Sequence, residues 1–412
     1  MSKFACRMAM AMLAALPATP AAADIKIAVI EGLSGPFARS GETLLAHVAG
    51  EAELMNKNGG LNGEKIELIP FDSKHSPQEA LVQLKAATDQ GVRYVMQGAS
   101  SGVSFALSDA ITKWNARNPD KTVLFLNYTS VDPSLTNENC SFWHFRFEAH
   151  ADMKLEAITN VLMTTKDAKK VYLIGQDNPA GQRVSKVTKK MLSMKRPDIQ
   201  IVGDDIHAPG KVKDFAPYVS KIIASGADSV VTANFGNDLA LLLKAAKDAD
   251  MKARVYTFYA GSSGGPASID FAPAGQVIHI ADWHRNITAD DAPLNAWIDG
   301  FNQKNRPNEF MYIRIKNMMG MLNKAMTMAK SQDPKAVALA LEDMHYQGPT
   351  GDVWMRRDDH QIHMTQYVSQ FVEQDGDAVK YDSEGTGKGW KTIDTIRAAD
   401  SQLPTTCAME RP

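Results

Sequence analysis

Short apolar runs alternate along the chain with stretches whose apolar residues recur at helical spacing. The runs Ile25–Ile30, Lys65–Phe71, Tyr94–Gln97 and Val123–Asn127 read as strands. Between them, Glu42–Asn58, Ser76–Gln90 and Ser101–Ala116 read as amphipathic helices. The first stops at Gly59-Gly60. The second has Ser76 as N-cap, Pro77 at its first position and Gly91 beyond its end. After a break the rhythm restarts. Helices over Asp152–Leu162, Gln182–Met194 and Asp238–Ala249 alternate with strands over Val171–Gly175, Ile199–Gly203, Ser229–Ala233, Val255–Tyr259 and Val277–Ile280. Repeated strand–helix units build mostly parallel sheets with helices on both faces. Two such series predict an α/β chain of two doubly wound lobes, and 412 residues suit two cores better than one.

The first residues break this pattern. Lys3 and Arg7 precede a short apolar run, Met8–Leu16, and Ala21-Ala22-Ala23 follows as a small-residue cleavage signature. The run is too short to span a bilayer. The pattern predicts a signal peptide over 1–23, cleaved after Ala23, and a protein exported to the periplasm. Loss of Lys3 and Arg7, with no acid removed, takes the formal charge from −2 to −4. Charged residues of both signs are interspersed with no long basic run, so no nucleic-acid partner is expected. Of the 3 cysteines, Cys6 would leave with the signal. Cys140 and Cys407 remain, an even pair in an oxidising compartment, and a disulfide between them is expected.

In doubly wound sheets ligands sit beyond the carboxyl ends of the strands, so the loops there carry the candidate chemistry. Gly98-Ala99-Ser100-Ser101-Gly102 runs from a strand straight into a helix. Small residues admit a ligand to the backbone, and the helix N-terminus offers free N–H groups to a carboxylate. Ordinary capping by Ser100 or Ser101 is the alternative, and the two roles can coexist. Tyr128 and Thr129 lie in the next such loop. In the second half, Asn178, Asn234-Phe235 and Tyr259–Gly265, including Ser262, follow strands. Facing one another, these loops make a cleft of Gly, Ser, Asn and a few aromatics, suited to binding.

Catalytic equipment is missing from the sequence. The pairs His144/His150, His279/His284 and His360/His363 lack further ligands in metal-site spacing, so no metal is expected. There is no G-x-S-x-G elbow, phosphate-binding loop, C-x-x-C or dinucleotide fingerprint. The methionines Met318, Met319 and Met321 read as core packing. Neither an enzyme nor a cofactor is expected.

Together, Ser34-Gly35-Pro36 with Gly41, Asn58-Gly59-Gly60-Leu61-Asn62-Gly63, Asp72, the serine loop, Asp132–Thr136 and Gly348-Pro349-Thr350-Gly351 resemble, in order, the type I periplasmic solute-binding proteins of ABC importers, the leucine/isoleucine/valine-binding family. The resemblance implies lobe 1 over 24–146 plus 281–347, lobe 2 over 147–280 plus 348–412, a three-strand hinge, closure on a small-molecule ligand, delivery to ABC importer permease subunits and a monomer. It implies ligand contacts at Ser100, Ser101 and Thr129, and the loops read above add Ala99, Tyr128, Asn178, Phe235 and Ser262 as candidate contacts. The family's tryptophan near Ser40, tyrosine near Asn178 and α-ammonium-pairing acid near Ser262 are absent. Because a buried ammonium without a countercharge costs several kcal/mol, the expected ligand is an aromatic carboxylate such as a benzoate or cinnamate, with Tyr128, Phe235, Tyr259 and Trp283 available to stack on its ring. Branched-chain amino acids, amides or urea, and a sensory role at a membrane receptor, are the alternatives.

Overall fold

The computed structural model describes residues 24–35 and 38–412. Residues 1–23, with Lys3, Cys6, Arg7 and the expected cleavage signature, and Pro36 lie outside the described residues. The first half runs β1 (Ile25–Glu31), α1 (Ala38–Lys57), β2 (Ile66–Asp72), α2 (Pro77–Asp89), β3 (Tyr94–Gln97), α3 (Ser101–Arg117), β4 (Leu124–Asn127) and β5 (His144–Arg146). These five strands form one parallel sheet in the order β2-β1-β3-β4-β5. Every residue of β3 and β4 is buried, as expected of strands covered on both faces. α2 begins as its sequence dictates: Ser76 is extended at φ −110° and its side chain accepts the Glu79 N–H.

The second half runs α4 (Ala151–Thr164), β6 (Lys170–Gln176), α5 (Pro179–Lys195), β7 (Gln200–His207), α6 (Ala216–Ala224), β8 (Ser229–Thr232), α7 (Gly236–Asp248), β9 (Arg254–Thr257), α8 (Gly265–Ser268) and β10 (Val277–Ala281). The chain then returns to the first half with α9 (Ala292–Asn305), α10 (Ile313–Ala329), α11 (Pro334–Leu341), β11 (His345–Gly348), β12 (Gly351–Met355) and β13 (Ile362–His363), and crosses again to β14 (Gln366–Glu373) and β15 (Lys388–Ile396). The second sheet is ordered β15-β14-β10-β9-β8-β6-β7, parallel except that β14 and β15 are antiparallel. Its parallel part, β7-β6-β8-β9-β10, repeats the strand order of the first sheet. The switch in strand order therefore falls between β1 and β3 in one lobe and between β6 and β8 in the other, where ligands are held.

Three crossings join the lobes: after β5, after β10 and before β14. Buried apolar residues form separate cores. One lies around the first sheet, α10 and α11, and two lie on opposite faces of the second sheet. The resemblance puts 348–412 with lobe 2, but Val353, Met355, Ile362 and Met364 pack into the first core, and β11–β13 form a small sheet of their own. Arg146 at the end of β5 bridges to Gln361, which ties this segment to the first lobe. Among the described residues no helix is long and apolar enough to cross a membrane.

The Cys140–Cys407 disulfide is present, with the Cα atoms 5.7 Å apart. It holds the C-terminal tail on the first lobe, where the Thr405 hydroxyl also donates to the Thr136 carbonyl at 3.0 Å.

Candidate functional site

The wall supplied by the first lobe is built on Glu31, the last residue of β1. Its carboxylate lies fully buried at the switch point and accepts the Gly98 N–H at 2.7 Å, the Ala99 N–H at 3.3 Å and the Tyr128 hydroxyl at 2.5 Å. Burial pushes this carboxyl up to about 7, against the pull of Tyr128 and the two amides. One buried acid thus positions the entry to the serine loop. Gly98 is required where it stands, because a Cβ would come within 2.7 Å of the Tyr128 ring. Ser100 caps α3, accepting the Val103 N–H at 3.4 Å. Ser101, at the first turn, is half-buried.

The neighbouring loop is shaped by Asn127, whose Oδ1 accepts the N–H groups of Thr129 and Ser130 at 3.2 and 2.9 Å. The Ser130 hydroxyl donates to the Gly98 carbonyl at 2.9 Å, which ties the two loops together. Thr129 is left with a buried hydroxyl oxygen that has no partner. A buried polar group without a partner is costly unless something fills the place.

At the hinge four buried charges meet. Arg314 from α10 pairs with Glu148 at 2.8 Å and Asp282 at 2.5 Å, and Lys154 from α4 pairs with Glu148 at 3.2 Å. Arg314 also donates to the Tyr128 carbonyl at 2.9 Å. Burial works against the guanidinium, but Asp282 and Glu148 hold its pKa above the ordinary value. Burial also pushes Asp282 up, and Arg314 opposes this. Glu148 and Asp282 follow the first two crossings, so this network joins the two lobes.

The second lobe contributes the ends of β6, β8 and β9. Asn178 caps α5, with Oδ1 accepting the Gly181 N–H at 2.9 Å. Asn234 is fully buried; its Oδ1 faces His207 at 3.1 Å, and its amide nitrogen has no partner. Phe235 is 44% exposed and lies 5.6 Å from the Tyr259 ring. Burial, then the Glu148 charge, pushes the Tyr259 phenol well up. The Ser262 hydroxyl donates to the Tyr259 carbonyl at 2.7 Å. The lobes touch here: Thr43 of α1 meets the Ser263 hydroxyl at 3.3 Å.

Ala99, Ser100, Ser101 and Thr129 are therefore brought together on one wall, and Asn178 and Phe235 stand at the switch point of the other lobe. Ser262 turns its hydroxyl back into its own loop. Two expected ring-stacking residues are core residues instead. Tyr128 is fully buried over Gly98, and Trp283 packs edge-on against Phe310 at 5.5 Å. Sequence reasoning missed Glu31, Glu148, Lys154, Asp282 and Arg314. A signal existed for Glu31 alone, an acid at the buried carboxyl end of a mostly apolar strand.

A family model described as "Periplasmic binding protein" matches residues 24–377. The chain belongs to this periplasmic binding protein family. Leu/Ile/Val-binding protein homolog 4 of Brucella abortus is 31% identical over 403 residues, 95% of this chain and 94% of that one. The structure of a leucine-, isoleucine-, valine-, threonine- and alanine-binding protein from Brucella ovis, in a closed conformation, matches with a TM-score of 0.84 and 29% identity, over 95% of this chain and all (100%) of that one. A solute-binding protein of an R. palustris ABC transporter, in complex with 4-hydroxybenzoate, shares the fold at a TM-score of 0.73 and 19% identity, over 91% of this chain and 97% of that one. This periplasmic binding protein is of the branched-chain amino acid transporter type, and its relatives are solute-binding proteins rather than enzymes.

Proposed function

We propose that the chain, exported and cleaved after Ala23, is the receptor of an ABC importer and closes around a small apolar carboxylate, an aromatic acid being the preferred class. The reading rests above all on the unpartnered Thr129 hydroxyl beside the N-terminus of α3. Thr129, Ser101 and the Ala99–Ser101 amides offer donors to a carboxylate, each bond to a charged group contributing about 1.5–3 kcal/mol. Glu148 is already paired with Lys154 and Arg314, so its charge is compensated before a ligand ammonium arrives. Phe235 and Tyr259 offer the ring-facing surface. Binding of 4-hydroxybenzoate by a protein of the same fold agrees with this class.

One observation favours a second reading. Asp282 keeps one buried oxygen without a partner, and relatives at 31% and 29% identity carry names for branched-chain amino acid binding. An ammonium reaching Asp282 would make the ligand an α-amino acid. We place the third lobe boundary near residue 365, since Met364 packs with the first core.

A thermal-shift screen of refolded protein separates the two. Ligands that bind the native state raise its apparent stability by mass action. A shift with benzoates or cinnamates alone supports the aromatic class. A shift with leucine or valine alone overturns it and leaves the receptor role standing.

A further inference from the structure

A second cavity, about 110 Å³, lies between the lobes behind the Tyr259–Gly265 loop. None of Ser101, Thr129, Asn178 and Phe235 lines it. The first lobe supplies Glu309 and Phe310, from the segment before α10, together with Trp283. The second supplies Gly261, His279 and the segment Tyr381–Glu384. Such a volume admits several water-sized groups. Gly261 lets the His279 imidazole stand in this wall, since a Cβ there would come within 2.6 Å of its Nε2.

Its walls are short of positive charge. Glu309, Asp382 and Glu384 all line it. The one guanidinium, Arg285, stacks on the Tyr381 ring at 3.8 Å and is paired with Asp299 at 2.6 Å. His279 and His284 are 5% and 6% exposed, and each has a buried Nδ1 without a partner. Burial pushes both imidazoles down to about 3, so they add no charge. Burial and the neighbouring Glu384 and Asp382 push the Glu309 carboxyl up, a repulsion that a cation would relieve. Trp283, Phe310 and Trp390 complete the lining with aromatic surface. Acids, neutral imidazoles and ring faces together suit a charged nitrogen bearing carbon groups.

We propose that this cavity is an accessory site for a small organic ammonium ion, met by Glu309 and the acids of the 381–384 segment and walled by Trp283, Phe310 and Trp390. The site already spans the lobes: Glu309 accepts the Glu384 N–H at 2.9 Å, and Glu384 accepts the Gly264 N–H at 2.6 Å. An ion held by both sides favours the closed form, and by linkage it tightens solute binding by the same factor that solute tightens it.

The test is titration of the refolded full chain with choline chloride, read by calorimetry and tryptophan fluorescence, against potassium chloride at equal ionic strength. Saturable choline binding is expected, weakened at least about tenfold by Glu309→Gln, with Phe310→Leu as a second probe of the lining. Thr129→Val, which removes a solute contact without adding bulk between the lobes, is expected to leave it unchanged. No saturation up to about 10 mM choline, or equal affinity in folded Glu309→Gln and Phe310→Leu variants, overturns the site. Loss of choline binding in Thr129→Val also overturns it, because the ion would then be entering the solute cleft.

Discussion

Glu31→Gln isolates the buried acid on which the serine loop hangs. The folded protein raises this carboxyl from 4.5 to about 7. A difference of about 2.5 pKa units, at about 1.36 kcal/mol per unit, gives roughly 3 kcal/mol. Between these two values the folded state binds the proton and the unfolded state does not. Stability therefore falls as pH rises from about 4.5 to about 7, and the loss is complete above that window. Glutamine keeps the shape and an acceptor but cannot ionise, so the variant lacks this slope. Urea unfolding of both proteins at pH 5 and pH 8 forms a cycle in which all other titrations cancel. The expected double difference is about 2.5 kcal/mol, slightly under the full value because pH 5 lies inside the window, with wild type losing more at the higher pH. Parallel profiles would refute the raised pKa. A difference of opposite sign would mean that the Gly98 and Ala99 amides and Tyr128 outweigh burial.

Ser101→Phe should abolish solute binding while circular dichroism stays unchanged, and normal binding by the folded variant would remove Ser101 from the site. Thr129→Val replaces an unpartnered hydroxyl with a methyl group, so stability should hold or rise, while affinity measured by calorimetry falls about tenfold. Arg314→Met leaves Glu148 and Asp282 buried without their partner and should cost about 3–5 kcal/mol in denaturant unfolding. Thiol titration of the unreduced, denatured mature protein should find no free cysteine; two reactive thiols would contradict the Cys140–Cys407 bridge.

The alternating units were legible because each carries its own punctuation. Ser76 and Pro77 start α2, the run Tyr94–Gln97 coincides with β3, and the small residues after it mark the serine loop. α9 and α11 carry the same signals, Asp291 and Asp333 as caps with a proline just inside each helix. The antiparallel strands were harder. β15 has a mostly exposed middle and β11 alternates weakly, so neither shows the buried run that parallel strands do. Tyr128 misled because an aromatic in a binding loop looks available; only the glycine opposite, Gly98, shows that its ring turns inward. The hinge charges could not be read at all. Glu148, Asp282 and Arg314 are far apart in sequence, and Arg314 sits among the apolar residues of α10 with nothing local to name its partners.

The bridge between Cys140 and Cys407 also sets how the molecule bears a pull. β1 belongs to the first lobe, and the tail beyond Cys407 lies there too, with Arg411 donating to the Arg357 carbonyl at 2.7 Å. A force applied at residue 24 and at residue 412 runs along 24–140, crosses the sulfurs and leaves through the last few residues. The 267-residue loop between the cysteines, which contains the whole second lobe, carries no tension. Reduction would put that length into the load path and add roughly 900 Å of extensible chain, at about 3.3–3.6 Å per residue. Stretched between those two points, the oxidised protein can lose its first lobe while the second stays folded.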